Sequence, residues 1–220
     1  MATLELGILV SGSGTNLQAI LDAIADRSLD ARVRLVISNR AGVQAIERAT
    51  RAGAPASVVS HKSFPDRPSF DRALVDALRA AGVQWVVLAG FMRVLTPTFL
   101  DAFPMRVINV HPALLPAFPG VDAQAQALAY GVRVAGCTVH FVDSGTDTGP
   151  IIAQAAVGVR DDDTRDALAA RILVQEHKLL TTVLRWISED RVHLVPSGDG
   201  ARARVRIDGE SGALFAEQVP

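Results

Sequence analysis

Short runs of valine, isoleucine and leucine alternate with stretches of helical spacing along this chain, and that alternation constrains its fold more than any other feature. The apolar runs are Leu4–Val10, Val33–Ser38, Ala56–Ser60, Gln84–Gly90 and Arg106–Val110. Between them, Asn16–Ile24, Val43–Ala52 and Ser69–Ala81 place apolar residues at helical intervals, and the last two end at Gly53 and Gly82. Buried strands that trade places with amphipathic helices are the mark of βαβ units on a parallel sheet covered on both faces. The expected class is α/β, an open, mostly parallel, Rossmann-like sheet with helices on both faces. Further on, Ala123–Tyr130 reads as a helix, and Gly136–Val142 and Pro150–Val159 as two longer strands joined by DSGTDTG. Thr164–Ile187 is a long helix. Beyond Asp190 the turn signals Gly198–Gly200 and Asp208–Gly209 predict a small hairpin or tail. The expected division is one domain over residues 1–190 and a short appendage over 191–220.

A formal net charge of −1 argues against a nucleic-acid binder, which needs clustered lysine and arginine to neutralise phosphates. The single cysteine, Cys137, rules out an internal disulfide and any multi-cysteine metal site. The opening MATLELGILV lacks a charged n-region and a cleavage site, and no apolar run approaches a membrane span. A cytoplasmic protein without membrane partners is expected.

Two motifs carry chemistry. SGSGTNL, Ser11–Leu17, joins the first strand to the first helix, where free backbone N–H groups and the helix dipole favour an anion. A dinucleotide calls for G-x-G-x-x-G and an acid near the end of the second strand. Here Leu17 takes the third glycine position and the strand ends in Ser38-Asn39-Arg40, so a phosphate monoester fits better. A plain helix start, with glycines for chain geometry alone, is the competing reading.

The second motif is VINVHPALLPAFPG, Val107–Gly120. Strand residues two apart face one side, so Asn109 and His111 point together at a carboxyl strand end, where open α/β sheets bind ligands. Pro112, Pro116 and Pro119 stiffen the loop beyond. Asp147, in the Gly-rich turn after His140, reaches His111 if that turn folds over the same edge. No G-x-S-x-G elbow accompanies them. Histidine exchanges a proton near neutral pH, aspartate favours its charged form, and asparagine donates to an oxygen that becomes negative. Zinc on His111, His140 and Asp147 lacks any H-x-x-x-H or H-E-x-x-H spacing, and a turn-capping histidine is the plain alternative.

SGSGTNL, LAGFMRVL, INVHPALLP and VDSGTDTGPII, in this order and at these separations, resemble the phosphoribosylglycinamide formyltransferase family over about Leu6–His177. The resemblance implies the formyltransferase fold and transfer of a formyl group from the co-substrate 10-formyltetrahydrofolate to the amine of glycinamide ribonucleotide, without a metal. It also implies residue roles. Gly14, Thr15, Asn16 and Glu176 would bind the ribotide. Arg67, Met92, Arg93, Val94, Leu95, Asn109 and the loop Asp143, Ser144, Gly145, Thr146, Asp147 would bind the folate. His111 would be the catalytic acid, aided by Asn109 and Asp147. Asp122 and Gln124 depart from a stretch that often carries histidine, and Leu173 from a position polar in some relatives. The expected partners are the two small-molecule substrates, in a monomer or homodimer. Formyltetrahydrofolate hydrolysis and an NADP-binding or non-catalytic nucleotide-sensing domain stand as alternatives.

Overall fold

The first apolar run forms β1 (Leu4–Val10) in the computed structural model, which describes residues 3–197, 202–210 and 214–216. The chain divides into two compact units, Met1–Asn109 and Val110–Pro220. In the first unit β1 is followed by α1 (Thr15–Ala25), β2 (Ala31–Ser38), α2 (Gln44–Arg51), β3 (Ala56–Val58), α3 (Arg67–Ala80), β4 (Trp85–Leu88), α4 (Pro97–Leu100) and β5 (Val107–His111), whose last two residues open the second unit. The strand order is β5-β4-β1-β2-β3, and every pairing along it is parallel. β1 is the middle strand. Its Leu9 lies beside Leu88 of β4 and its Val10 beside Ser38 of β2. Leu6, Ile8 and Leu9 are fully buried, as a strand covered on both faces requires.

The helices follow their apolar stripes. α1 buries Leu17, Ile20 and Leu21, and α3 buries Phe70, Leu74, Val75 and Leu78. Asp66 caps α3 by accepting from the Ser69 amide at 2.8 Å, with Pro68 in the first turn. α4 has only four residues, too few to show a period in the sequence. The strand expected at Arg106–Val110 runs one residue further, which carries His111 into its end.

The second unit contains α5 (Ala123–Tyr130), β6 (Val134–Phe141), β7 (Ile151–Gly158), α6 (Arg165–Ser188), β8 (Val192–Val195), β9 (Arg204–Ile207) and β10 (Leu214–Ala216). β6 and β7 pair antiparallel, with Cys137 opposite Ala155, while β10 pairs parallel to β7. The loop between β6 and β7 closes at Gly149, where a Cβ would overlap the Phe141 carbonyl oxygen, so glycine is demanded there. Thr164 caps α6, and the helix buries Leu168, Ile172, Leu179, Leu180, Val183 and Leu184. β8 and β9 form a two-stranded antiparallel ladder. Asp208–Gly209 is a turn, whereas Gly198–Gly200 lies outside the described residues.

Candidate active site

In the first unit the glycine loop delivers the chain from β1 into α1. Gly14 is the N-cap residue at φ 72°, and a Cβ there would stand 2.6 Å from Cβ of Ala45. Both the backbone angle and the contact with α2 therefore require glycine. Among the described residues α1 has no side-chain cap hydrogen bond and no acid in its first turn. Its leading N–H groups and the positive end of its dipole thus face the loop. Arg48 of α2 braces the loop, with Nε donating to the Ser13 carbonyl at 2.9 Å and a guanidinium nitrogen donating to Gln18 Oε1 at 3.2 Å. Asn16 is buried at the start of the helix.

The segment after β4 holds Met92, Arg93, Val94 and Leu95. Leu95 is buried, but Met92 is 65% and Val94 50% exposed, an apolar surface on a short, tethered segment. Met92 N–H donates to Ser11 Oγ at 2.9 Å. At the other end Asp71 Oδ2 accepts from the Thr96 amide at 2.6 Å and from its hydroxyl at 2.7 Å. The Arg93 guanidinium lies 5.5 Å from the centre of the Phe70 ring. Arg67 is exposed in the first turn of α3, three residues before Phe70.

In the second unit His111 is buried, with 4% of its surface exposed. Its Nδ1 stands 3.3 Å from Asp147 Oδ2, and its Nε2 is 2.8 Å from the Phe118 carbonyl oxygen. A carboxylate and a carbonyl only accept, so only the doubly protonated ring donates at both nitrogens. Asp147 sits in the left-handed region at φ 54°, and the Gly120 amide donates to its Oδ2 at 2.8 Å. Its Oδ1 lies 3.7 Å from His140 Nε2. One carboxylate thus serves two imidazoles. Burial holds the His140 pKa below its ordinary 6.5, against the opposing pull of its bond to the Phe141 carbonyl and of the Asp147 charge. His140 therefore favours its neutral form.

The Asp143–Asp147 loop is ordered by Asp143, whose Oδ1 accepts from the Gly145 amide at 3.0 Å and the Thr148 hydroxyl at 2.6 Å. Glu176 is buried on α6. Burial first, and the Glu176 charge second, push the Cys137 thiol far up, which makes it an inert packing residue. Asp122 turns the chain into α5 at φ 56° and accepts from Arg165 Nε at 2.6 Å. Its departure from the expected histidine thus supplies an ion pair to α6.

The predicted residues gather as follows. His111 and Asp147 meet, as the sequence led one to expect. Asn109 stands two residues before His111 in β5, beside Leu88 in the β4 ladder. Gly14, Thr15 and Asn16 form the α1 entrance, and Glu176 lies on α6 of the second unit. Ser11 and Asn39 entered the sequence reading only as the start of the glycine motif and the end of the second strand, and Asp71 had no role in it. Asp71 had a legible signal, a charge on the buried stripe of α3.

A mostly parallel α/β scaffold, a glycine-loop helix start and an Asn-x-His strand end paired with a distal aspartate define a class of transfer enzyme. Residues 5–184 match the family described as formyl transferase, and the chain belongs to that family. It is 40% identical over 183 residues to the phosphoribosylglycinamide formyltransferase of Bacillus subtilis, covering 83% of this chain and 94% of that one. The crystal structure of glycinamide ribonucleotide transformylase 1 from Symbiobacterium toebii superimposes with a TM-score of 0.88 at 51% identity, covering 93% and 94% of the two chains. The trifunctional purine biosynthetic protein adenosine-3 of Drosophila melanogaster is 50% identical over 175 residues, 79% of this chain, and the chain spans 13% of that protein's length. The α/β, mostly parallel fold agrees with these relatives; among the described residues the β6–β7 and β8–β9 pairs run antiparallel.

Proposed function

We propose that this protein transfers a formyl group from 10-formyltetrahydrofolate to the amine of glycinamide ribonucleotide, a step of purine biosynthesis carried by residues 1–190 in the cytoplasm. The observation that carries this reading is the buried His111 ring held between two acceptors, Asp147 and the Phe118 carbonyl, in a chain of the formyl transferase family. The glycine loop at α1 takes the ribotide phosphate through Gly14, Thr15 and Asn16, and Glu176 takes another polar group of the ribotide. The exposed Met92 and Val94, with Arg93, Leu95 and Arg67, suit a flat apolar folate with a charged tail. The loop Asp143, Ser144, Gly145, Thr146, Asp147 completes the folate set. Among the described residues no helix is long and apolar enough to cross a membrane.

The residues act as follows. The folate supplies the formyl carbon that the ribotide amine attacks. Asn109 and the His111 imidazolium donate to the formyl oxygen as it gains charge, the arrangement that most lowers acyl-transfer barriers. Donation from His111 Nε2 requires it to exchange the Phe118 carbonyl for the substrate oxygen. The tetrahedral adduct then collapses with cleavage of its C–N10 bond; His111 gives its proton to the leaving N10 and takes up the proton that the attacking amine sheds, with Asp147 orienting the ring.

An absorbance assay for tetrahydrofolate, with and without glycinamide ribonucleotide, tests this. Product is expected only with the ribotide. Equal product without it identifies a hydrolase, and tight NADP(H) binding without turnover identifies a nucleotide-binding domain.

A further inference from the structure

Ser11 is the first residue after β1 and opens the glycine loop, and it is 3% exposed. Its hydroxyl has one proton, which goes to Asn39 Oδ1 at 2.7 Å. A lone pair takes the Met92 amide at 2.9 Å. The relay therefore runs in one sense, from the Met92 N–H to Ser11 Oγ and from its O–H to Asn39. Asn39 is equally buried at the end of β2, and its amide continues to His61, where Nδ2 lies 3.3 Å from Nδ1. β1 lies between β2 and β4 in the sheet, so the three carboxyl strand ends share one hydroxyl. The opposite end of the 92–96 segment is tied to Asp71 of α3 instead.

From this, and resting on the formyl-transfer reading, we infer that Ser11 is a positioning residue that couples the two substrate sites. Its hydroxyl is a strut between the loop assigned to the ribotide phosphate and the segment assigned to the folate. The segment has one end anchored on α3 and one end that follows the glycine loop. A ribotide that orders the loop also sets Met92, so the folate meets a segment already in place. Linkage requires the reverse effect to be equal, the folate raising ribotide affinity by the same factor. Removing the hydroxyl cuts this connection and leaves the Met92 amide and Asn39 Oδ1 short of a partner. Asp71 provides the contrast, because it steadies the folate segment without touching the glycine loop.

The test is calorimetry on the whole protein with glycinamide ribonucleotide and tetrahydrofolate, a pair that cannot react. Each ligand is titrated alone and against a saturating amount of the other. In the unaltered protein each is expected to tighten the other by at least about fivefold. In Ser11→Ala that factor should fall close to one, and Ser11→Thr, which keeps the hydroxyl, should restore much of it. Asp71→Asn should weaken the folate and leave the factor near that of the unaltered protein. Amide exchange at Met92, slowed by the ribotide in the unaltered protein but not in Ser11→Ala, reads the same strut without a binding constant. A coupling factor unchanged in Ser11→Ala, or absent from the unaltered protein while both ligands bind, overturns the inference and leaves the function standing. If the unaltered protein binds neither ligand, both fall together.

Discussion

Asp147 faces two histidines and treats them differently. The Nδ1 of His111 is closer, at 3.3 Å against 3.7 Å for His140 Nε2, and both His111 nitrogens meet acceptors. His140 is held neutral by burial. Replacing Asp147 by asparagine removes the carboxylate that faces His111 Nδ1. Formyl transfer at neutral pH should then fall, which the rate assay measures. Unchanged turnover would leave Asp147 as a loop residue only. Asn109→Ala and His111→Ala should each lower turnover by about 10²–10³ with the fold kept, as removal of one oxyanion donor does. Circular dichroism beside the rate assay checks both halves, and near-normal turnover in either variant removes that residue from the chemistry.

Among the elements, the entrance to α1 is the least forgiving. Gly14→Val combines a positive φ with a side chain driven into Ala45. It should weaken the ribotide far more than the folate, and titration of each ligand separately decides it; equal losses would make the loop structural only. How much of this was legible depends on length and on partners. β1, β2 and β5 are buried apolar runs, and α3 and α6 are long enough to show their stripes. α4 was not legible, because four residues cannot show a period. The His111–Asp147 meeting was legible because two unusual polar motifs had one strand edge on which to converge. The Phe118 carbonyl was not, since a backbone acceptor leaves no mark in the sequence. Ser11 was hidden by its own motif. Its serine reads only as the first residue of the glycine motif, and the three-dimensional neighbours Asn39 and Met92 show what holds it.

For the whole molecule, His140 and Asp163 contribute to how stability follows pH. His140 binds its proton less readily folded than unfolded, where its ordinary value is 6.5. Below that value the unfolded chain takes up the proton first. Its contribution to stability is therefore complete above pH 6.5 and is lost as the pH falls toward the lower folded value. The slope cannot exceed one proton, about 1.4 kcal/mol per pH unit. A second window lies lower. Asp163 is held below its ordinary 3.8 chiefly by its hydrogen bond to Arg171, which outweighs the opposing desolvation, with the Arg160 amide adding to it. Its contribution is present above 3.8 and is lost as pH falls through the folded value. Asp163 ties the start of α6 to the end of β7, because Arg171 also donates to the Gly158 carbonyl at 3.0 Å. Thermal melts from pH 8 to pH 3 should therefore show a plateau, a decline beginning near 6.5 and a steeper loss below about 4. His140→Asn should flatten the upper decline, and Asp163→Asn should lower the plateau and weaken the acid limb. If His140→Asn keeps the slope between pH 6.5 and 5 unchanged, another group titrates there, and the neutral, buried state assigned to His140 is wrong.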